Sequence, residues 1–318
     1  GFTSMIFVLY ALSLLVGFGS LNTNILPISI FINNWVFNKR GLALSIALSG
    51  LGIGGVIFSQ FVTFMINYLG WREAYMAYGA LMLIIVLPII WFLVKGKPED
   101  MGLKPYGSDF VAKNLDGDIE QKNDVDTSIS NAMKKPYFIF LIIGAVLVGI
   151  TNNGGLGQFP PVLASIHGDA TAATIISVYS AVGIIGKLVL GQINDRYGII
   201  VSTTYASFTL ALTYFLMLFS ENIVIVFVMA ILFGIGNAIG TVLPPLITSA
   251  IFSTEQYPAV YGYVNSGVQL GMTVGSLLAA GIADLTDSYN YSWSILIVLS
   301  ILTAVFWYSS YKNAQKYI

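Results

Sequence analysis

Nine stretches of this chain are long and apolar enough to cross a lipid bilayer as helices. A spanning helix needs about 20 mostly apolar residues. The runs that meet this criterion lie at residues 5–32, 42–67, 74–94, 137–158, 172–192, 201–219, 222–248, 260–282 and 292–311. Only 9% of the residues are charged, against roughly a quarter in soluble domains. The sequence therefore predicts an all-α integral membrane protein with nine transmembrane helices.

A polar segment at residues 95–135 interrupts this pattern. It holds 15 of the 29 charged residues of the chain, which makes it too polar to bury and too long for a tight turn. It predicts a linker between a group of three helices within residues 1–94 and a six-helix bundle within residues 136–318.

The basic residues predict how the chain is oriented in the membrane. Short cytoplasmic loops carry an excess of Lys and Arg. If the nine spans alternate, twelve of the fourteen basic residues fall on one side, and Arg72 and Lys187 are the exceptions. We therefore expect a multi-pass protein of the cell membrane whose linker 95–135 and C-terminus are cytoplasmic. This places Gly1 outside, so we also expect an internal start, preceded by an odd number of further spans.

The sequence lacks the residues that several classes of chemistry require. The chain has no Cys and a single His, His167, so neither a thiol nucleophile nor a His-based or Cys-based metal site is expected. No pair of carboxylates shares a span, which argues against an enzyme. The net charge of -1 gives no support for nucleic-acid binding. The sequence predicts no cofactor, and the expected surroundings are the lipid bilayer.

Lys187 lies inside the apolar run 172–192. A Lys at the centre of a spanning helix costs roughly 2.5 to 3.5 kcal/mol, so such residues usually face a bundle interior and mark a substrate or ion path. The structural alternative is a side chain that extends along the helix to reach the membrane surface.

Four other polar residues of the spans are candidate substrate ligands: Tyr179, Asn153, Asn152 and Gln158. Each is individually more typical of a hydrogen bond between helices. Tyr179 is eight residues before Lys187, close to the same helical face. The other three lie beside Gly and Pro residues at 154–161, a pattern that predicts a broken helix of the kind that lines transporter sites.

Glycines recur at four-residue spacing in three of the spans. The sets are Gly50 and Gly54; Gly236 and Gly240; and Gly267, Gly271 and Gly275. Four residues is about one helical turn, so each set predicts a face on which helix backbones approach closely. Static packing and a mobile interface require the same small residues, and both interpretations stay open.

Three segments carry a family resemblance. They are WVFNKRGLALSIALSGLGIG at 35–54 with GWREAY at 70–75, KPEDMGLKP at 97–105, and GQINDRYG at 191–198. They resemble the helix 4–5 junction with the start of helix 6, the central loop and the G-x-x-x-D-R-x-G loop of the major facilitator superfamily. The similarity is strongest to its monocarboxylate transporter and oxalate/formate antiporter branch. The resemblance implies that the chain holds helices four to twelve of a twelve-helix fold.

The resemblance also implies a function: secondary transport of a small organic anion, as an antiporter or symporter, with a coupled counter-anion or proton. Lys187 stands where the branch carries a cation, usually Arg, that contacts the substrate carboxylate; Lys lacks the bidentate fork of Arg. The branch tends to have a second Lys in the eleventh helix, and residues 259–283 contain none. A monoanion is therefore expected rather than a dianion.

The loop at residues 191–198 is expected to form a conformational latch, through Gly191, Asp195, Arg196 and Gly198. Its residues have a physical interpretation of their own. The Asp195 carboxylate can pair with Arg196 or with the N-terminus of a neighbouring helix. The alternative for this loop is a solvated turn.

Two other functions stay open at this point. One is a carrier of a different anion or of a neutral, amphipathic compound, with Lys187 in a structural role. The other is a channel or receptor, for which the chain offers no ring of charges or filter-like segment.

Overall fold

The computed structural model describes residues 25–108 and 129–316, together with Tyr10, Leu12, residues 14–17 and Gly19. Most of the predicted span 5–32 and residues 109–128 of the predicted linker lie outside the described residues. The described part is helical apart from loops and one isolated β-bridge between Val36 and Tyr106.

Ten helices follow one another along the described chain. They are α1 (Ile25–Trp35), α2 (Arg40–Leu69), α3 (Trp71–Leu81), α4 (Leu87–Leu93), α5 (Pro136–His167), α6 (Asp169–Met217), α7 (Ile223–Gly236), α8 (Ile239–Ile251), α9 (Tyr257–Thr286) and α10 (Tyr289–Ala314). A π-helical turn joins α3 to α4, and single turns lie at Pro98–Met101 and Ile129–Ala132.

Within the described residues, six helical segments are long and apolar enough to cross a membrane. They are Trp71–Phe92, Pro136–His167, Asp169–Met217, Ile223–Ile251, Tyr257–Thr286 and Tyr289–Ala314. Asp169–Met217 is 49 residues long and covers the two predicted spans 172–192 and 201–219, which meet at Gly198. The all-helical, multi-pass character is confirmed, and the number of nine spans stays a prediction.

The helix breaks do not fall where the sequence predicted them. The prediction of a broken helix around Pro160 and Pro161 is wrong, because α5 runs through both prolines without interruption. Neighbouring helices allow a membrane helix to tolerate proline, and Phe159, beside the two prolines, is fully buried. The break lies instead at Asn237, inside the predicted span 222–248, where α7 ends and α8 begins.

An aromatic cluster forms the core of α5–α10. The ring centroids of Phe159 and Phe233 are 4.8 Å apart at nearly a right angle, and Tyr214 stacks on Trp293 with 9° between the ring planes. Edge-to-face and offset stacked pairs add to the stability gained from burying the rings. The cluster joins α5, α6, α7 and α10 into one unit.

Glycines allow α5 and α9 to touch backbone to backbone. A Cβ added to Gly271 would lie 2.0 Å from the Val146 carbonyl oxygen, and one added to Gly275 would lie 2.4 Å from that of Ile150. The predicted close packing is confirmed for these two glycines. It is wrong for Gly50, where an added Cβ would meet no atom within 4 Å.

Helices α1 and α2 reach across to the C-terminal helices. The main contact is between α2 and α6, while α8 touches both α1 and α2, and α9 touches α1. Ser29 of α1 and Tyr257 of α9 line a small shared cavity, in which the Tyr257 ring stacks on Tyr261 with 5.4 Å between centroids. These contacts define the interface at which a functional site between the two sets of helices can form.

The α5–α9 contact can be tested with one matched pair of substitutions. Gly271→Ala is expected to lower the free energy of unfolding by about 1 to 3 kcal/mol, because the added methyl group forces the two backbones apart. Gly262→Ala, in the same helix but with open space at Cβ, is expected to leave stability unchanged or slightly raised. Thermal denaturation in detergent measures both, and equal melting temperatures would contradict the close packing.

Candidate functional site

Helices α2 and α6 lie antiparallel against one another. The α2–α6 interface contains two charged residues that the sequence singled out, Lys187 and Asp195. From one end of the contact to the other, the facing residues are Gly52 and Ile184, Leu48 and Lys187, Ser45 and Gly191, and Gly41 and Asp195. Successive positions are three to four residues apart on both helices, as expected for one face of each. The interface therefore carries a half-buried cation at one level and a carboxylate at its end.

Lys187 is half-buried in this interface. Its Nζ donates a hydrogen bond of 3.2 Å to the backbone carbonyl oxygen of Leu48, a fully buried residue of α2. A carbonyl oxygen carries only a partial charge, so the ammonium has a polar partner without being neutralised. Its eight-residue separation from Asp195 corresponds to about 12 Å along a helix. Lys187 thus lies well inside the contact between α2 and α6.

Asp195 accepts two hydrogen bonds from the first turn of α2. Its Oδ1 accepts from the backbone N–H of Gly41 and its Oδ2 from that of Leu42, each at 2.8 Å. The first amides of a helix have no partner within the helix, and the helix dipole favours a negative charge there. Lys39, which precedes α2, supplies no side-chain cap. Asp195 therefore caps a helix 154 residues away in sequence.

Two glycines allow α2 and α6 to approach closely enough for this cap to form. A Cβ added to Gly41 would lie 2.5 Å from the Gly191 carbonyl oxygen, and one added to Gly191 would lie 2.4 Å from that of Gly41. Any side chain at either position would push α2 and α6 apart. Gly41 and Gly191 are thus part of the same contact as Asp195.

The other two predicted latch residues lie beside the cap without joining it. Arg196 is exposed and its guanidinium lies 5.3 Å from the centroid of the Tyr197 ring. Gly198 has a φ of 82°, a conformation that favours glycine, and it lets the chain turn between the two halves of α6. Of the two partners considered for Asp195, the structure has the helix N-terminus.

Asn152 lies at the break between α7 and α8. Its Nδ2 donates to the Asn237 carbonyl oxygen at 3.1 Å and also to the Asn237 side-chain oxygen. A Cβ added to Gly240 would lie 2.6 Å from Asn152 Nδ2. The amide of Asn152 thus satisfies backbone and side-chain groups that the broken helix exposes.

The remaining polar candidates bind neighbouring helices. Asn153 Nδ2 donates to the Met272 carbonyl oxygen at 2.6 Å. Gln158 Nε2 donates to both oxygens of Ser276, at 3.0 Å and 2.9 Å, and Gln158 Oε1 accepts from the Tyr289 hydroxyl at 3.0 Å. These bonds join α5 to α9 and α10.

Tyr179 packs in the aromatic cluster. It is 6% exposed, and its ring centroid is 5.2 Å from that of Phe233. The structure brings Lys187, Gly191 and Asp195 together in the α2–α6 interface. Tyr179, Asn152, Asn153 and Gln158 lie instead within α5–α10, away from the contact that Lys187 makes.

Sequence reasoning missed the partners of these residues. Neither the Leu48 carbonyl nor the Gly41 and Leu42 amides carry a side-chain signal, because backbone groups are the same at every position. The break at Asn237 did have a signal, since an Asn in a span flanked by Gly236 and Gly240 is typical of an interrupted helix.

A groove of about 710 Å³ lies among α1, α2 and α3. It is lined mainly by apolar side chains, including Ile28, Leu51 and Phe58, together with Gly50 and Gly54. Among the described residues, no group of three His, Cys, Asp or Glu side chains is placed to hold a metal ion. The polar contacts of the α2–α6 interface are therefore the strongest candidate for a functional site.

The long apolar helices define a multi-pass membrane protein. Residues 1–246 match the model of the Major Facilitator Superfamily, and residues 159–316 match it a second time. The chain belongs to the Major Facilitator Superfamily, a family of membrane transporters.

Three relatives illustrate the range of this similarity. MFS transporter asaE of Aspergillus flavus is 26% identical over 263 residues, which cover 79% of this chain and 52% of the relative. Riboflavin transporter MCH5 of Saccharomyces cerevisiae is 22% identical over 280 residues, 83% of this chain and 51% of the relative. Monocarboxylate transporter 14 of Mus musculus is 26% identical over 134 residues, 42% of this chain and 26% of the relative. The chain spans about half the length of the first two, and the different substrates in the names leave its branch open.

The Asn152–Asn237 pair can be tested by a double-mutant cycle. Asn152→Ala and Asn237→Ala should each lower thermal stability. The double variant should be less damaged than the sum by about 0.6 to 2 kcal/mol, because both single changes remove the bond between the two side chains. Asn152→Ala combined with Gln158→Ala is the control, since these two side chains bind different partners. If the stability loss of each double variant equals the sum of its two single variants, the two asparagines do not interact.

Proposed function

We propose that this chain is part of a secondary transporter of the monocarboxylate transporter and oxalate/formate antiporter branch. It moves a small organic monoanion across the cell membrane by alternating access, as two bundles rock about a central site. The observation that supports this most is the half-buried ammonium of Lys187 in the interface between α2 and α6.

The chemistry of Lys187 suits a single carboxylate. Its partner is a neutral carbonyl oxygen at 3.2 Å, and a substrate carboxylate would replace this with a charge-assisted bond. Hydrogen bonds to charged groups are worth about 1.5 to 3 kcal/mol, compared with about 1 kcal/mol for neutral pairs. That difference favours exchange of the carbonyl for the substrate as α2 and α6 separate. One cation neutralises one negative charge, which supports a monoanion.

In this proposal, the end of the interface that carries Asp195 indicates the side of the membrane toward which the described conformation is closed. In this proposal the end that carries Asp195 is cytoplasmic, as the excess of Lys and Arg beside the same helix ends predicts. The conformation described here is then the one closed toward the cytoplasm. Asp195, Gly191, Arg196 and Gly198 act as the latch that opens when the transporter exposes its site to that side.

A second function has one observation in its favour. The bond from Lys187 to Leu48 is complete without any substrate, so Lys187 can serve as a crosslink between α2 and α6. The protein would then carry another anion or a neutral, amphipathic compound through a different part of the interface. Transport measurements on Lys187 variants separate the two proposals.

Uptake of labelled lactate, pyruvate and formate into proteoliposomes of the full-length protein tests the role of Lys187. Lys187→Ala is expected to lower kcat/KM for the transported acid by about 10- to 100-fold, the range that corresponds to loss of one charged hydrogen bond. Lys187→Arg should retain most of the activity, since the charge stays. Lys312→Ala, at the exposed end of α10 and stacked on Tyr308, is the matched control and should transport like the wild type.

Two results would decide against a carboxylate site at Lys187. One is equal uptake of every carboxylate by the wild type and Lys187→Ala. The other is a transported substrate without a carboxylate, which would favour the structural role. The melting temperature of each variant is compared with the wild type, so that a loss of transport through misfolding is recognised.

Asp195→Asn tests the latch. The Asn side chain keeps one acceptor for two amides and loses the negative charge that favours a helix N-terminus, so the closed conformation should lose about 0.5 to 1.5 kcal/mol. We expect turnover to fall by about 2- to 10-fold, with a smaller change in KM. The control is Asp284→Asn, which changes an exposed carboxylate near the C-terminal end of α9 and should leave turnover unchanged. Wild-type turnover in Asp195→Asn would argue against the latch.

A further inference from the structure

The segment at residues 95–107 folds back onto the turn between α1 and α2. Tyr106 N–H donates to the Trp35 carbonyl oxygen at 2.8 Å, and Phe37 N–H donates to the Tyr106 carbonyl oxygen at 2.9 Å. Together they form a short parallel bridge between Val36 and Tyr106. The beginning of the predicted linker is therefore fixed to the first helices by backbone bonds.

Side chains hold the other end of the same segment. Trp35 Nε1 donates to the Lys95 carbonyl oxygen at 2.9 Å, and Asn34 Nδ2 donates to that of Gly96 at 3.4 Å. Between the two ends, the single helical turn Pro98–Met101 buries Pro98 and is closed by a bond from Lys97 N–H to Asp100 Oδ2. The segment thus spans the α1–α2 turn and is attached on both sides of it.

Gly107 makes the closest contact between the segment and the turn. Its φ is 83°, and a Cβ there would lie 2.4 Å from Asn38 Cβ. Only a glycine can take this conformation without strain and also leave room for Asn38. Gly102, in the same segment, also has a positive φ of 67° but has open space around it.

The turn itself is in a conformation that its own residues do not favour. Lys39 has a φ of 58°, in the left-handed region that is unfavourable for a residue with a side chain. Such a conformation persists when surrounding contacts determine it. Directly after Lys39, the amides of Gly41 and Leu42 bind Asp195.

We propose that residues 95–107 position the N-terminus of α2 so that its amides meet the Asp195 carboxylate. Trp35 and Gly107 are positioning residues in this arrangement, and neither contacts Asp195. The proposal rests on the proposed latch and assigns to this segment a part in setting the balance between the closed and open conformations.

The position of Ser45 provides a reporter for this balance. Ser45 is fully buried in the α2–α6 interface, and its hydroxyl has no hydrogen-bond partner in the described part of the chain. Ser45→Cys therefore removes no bond, and the 318 residues contain no other Cys. A membrane-impermeant maleimide, applied from the side that carries Asp195, labels this thiol only when α2 and α6 separate.

Labelling rates are compared in the full-length Ser45→Cys protein with Gly107→Ala, Trp35→Phe, Gly102→Ala or Asp195→Asn added. Trp35→Phe is expected to raise the rate by about 2- to 10-fold, as loss of one hydrogen bond shifts an equilibrium by that factor. Gly107→Ala is expected to raise it by a similar factor, because the added methyl group collides with Asn38. Gly102→Ala is the control, because Gly102 also has a positive φ but does not contact the α1–α2 turn. This variant should be labelled at the same rate as Ser45→Cys alone. Gly107→Ala added to Asp195→Asn should label no faster than Asp195→Asn alone.

The outcomes distinguish a failure of the positioning role of residues 95–107 from a failure of the latch. Faster labelling with Asp195→Asn and unchanged labelling with both Gly107→Ala and Trp35→Phe would overturn the positioning role and leave the latch intact. Unchanged labelling with Asp195→Asn would overturn the latch and, with it, the present inference. Additive effects of Gly107→Ala and Asp195→Asn would show that the segment acts independently of the cap, and would also overturn it. A wild-type elution profile and melting temperature confirm that each variant is folded.

Discussion

The pairing of the Asp195 carboxylate with the first amides of α2 is the interaction on which the α2–α6 interface depends. Helix N-termini need acceptors, and α2 has no side-chain cap of its own. Its acceptor comes from the far side of the interface, so the two helices must lie in one register to satisfy it. That register places Gly41 against Gly191 and sets Lys187 opposite Leu48.

The cap is also suited to being broken and remade. Asp195 is exposed, so water can replace the amides as its partner when the helices part, and the net strength of such a cap is only about 1 kcal/mol. Lys187 holds a neutral carbonyl oxygen rather than a carboxylate, which avoids the large cost of separating a buried ion pair. Both polar contacts of the interface are thus reversible. In the proposed cycle, that reversibility is what allows two conformations of similar free energy.

Glycine has different roles in the two kinds of helix contact. Between α5 and α9, Gly271 and Gly275 bring backbones together along a face that further side-chain bonds, such as Asn153 to Met272, hold closed. Between α2 and α6, Gly41 and Gly191 form a single close crossing beside a solvent-exposed cap. In the proposed cycle, the surrounding polar contacts, and not the glycine spacing, distinguish the static contact from the separable one.

The sequence predicted the features that depend on local composition. Apolar runs predicted the long helices, because a helix is the structure that satisfies every backbone group in lipid. The charge of Lys187 and the Asp195 motif identified the two residues that the α2–α6 interface joins. Their partners depend on tertiary contacts more than 130 residues away in sequence, which local patterns do not encode. For the same reason, packing around Phe159 kept α5 continuous where its prolines predicted a break.

The break at Asn237 gives the second half of one membrane crossing additional neighbours. Helix α7 packs on α6, whereas α8 contacts α6 and α9 and, in addition, α1 and α2. The bonds that lead from the break into α8 are turn-like, from Gly240 N–H to the Asn237 carbonyl and from Thr241 N–H to that of Ala238. The axis of α8 can therefore change direction while the regular ladder of each half stays intact. In the proposed cycle, α8 can follow α1 and α2 by bending at this residue pair, while the regular helix of α7 stays intact.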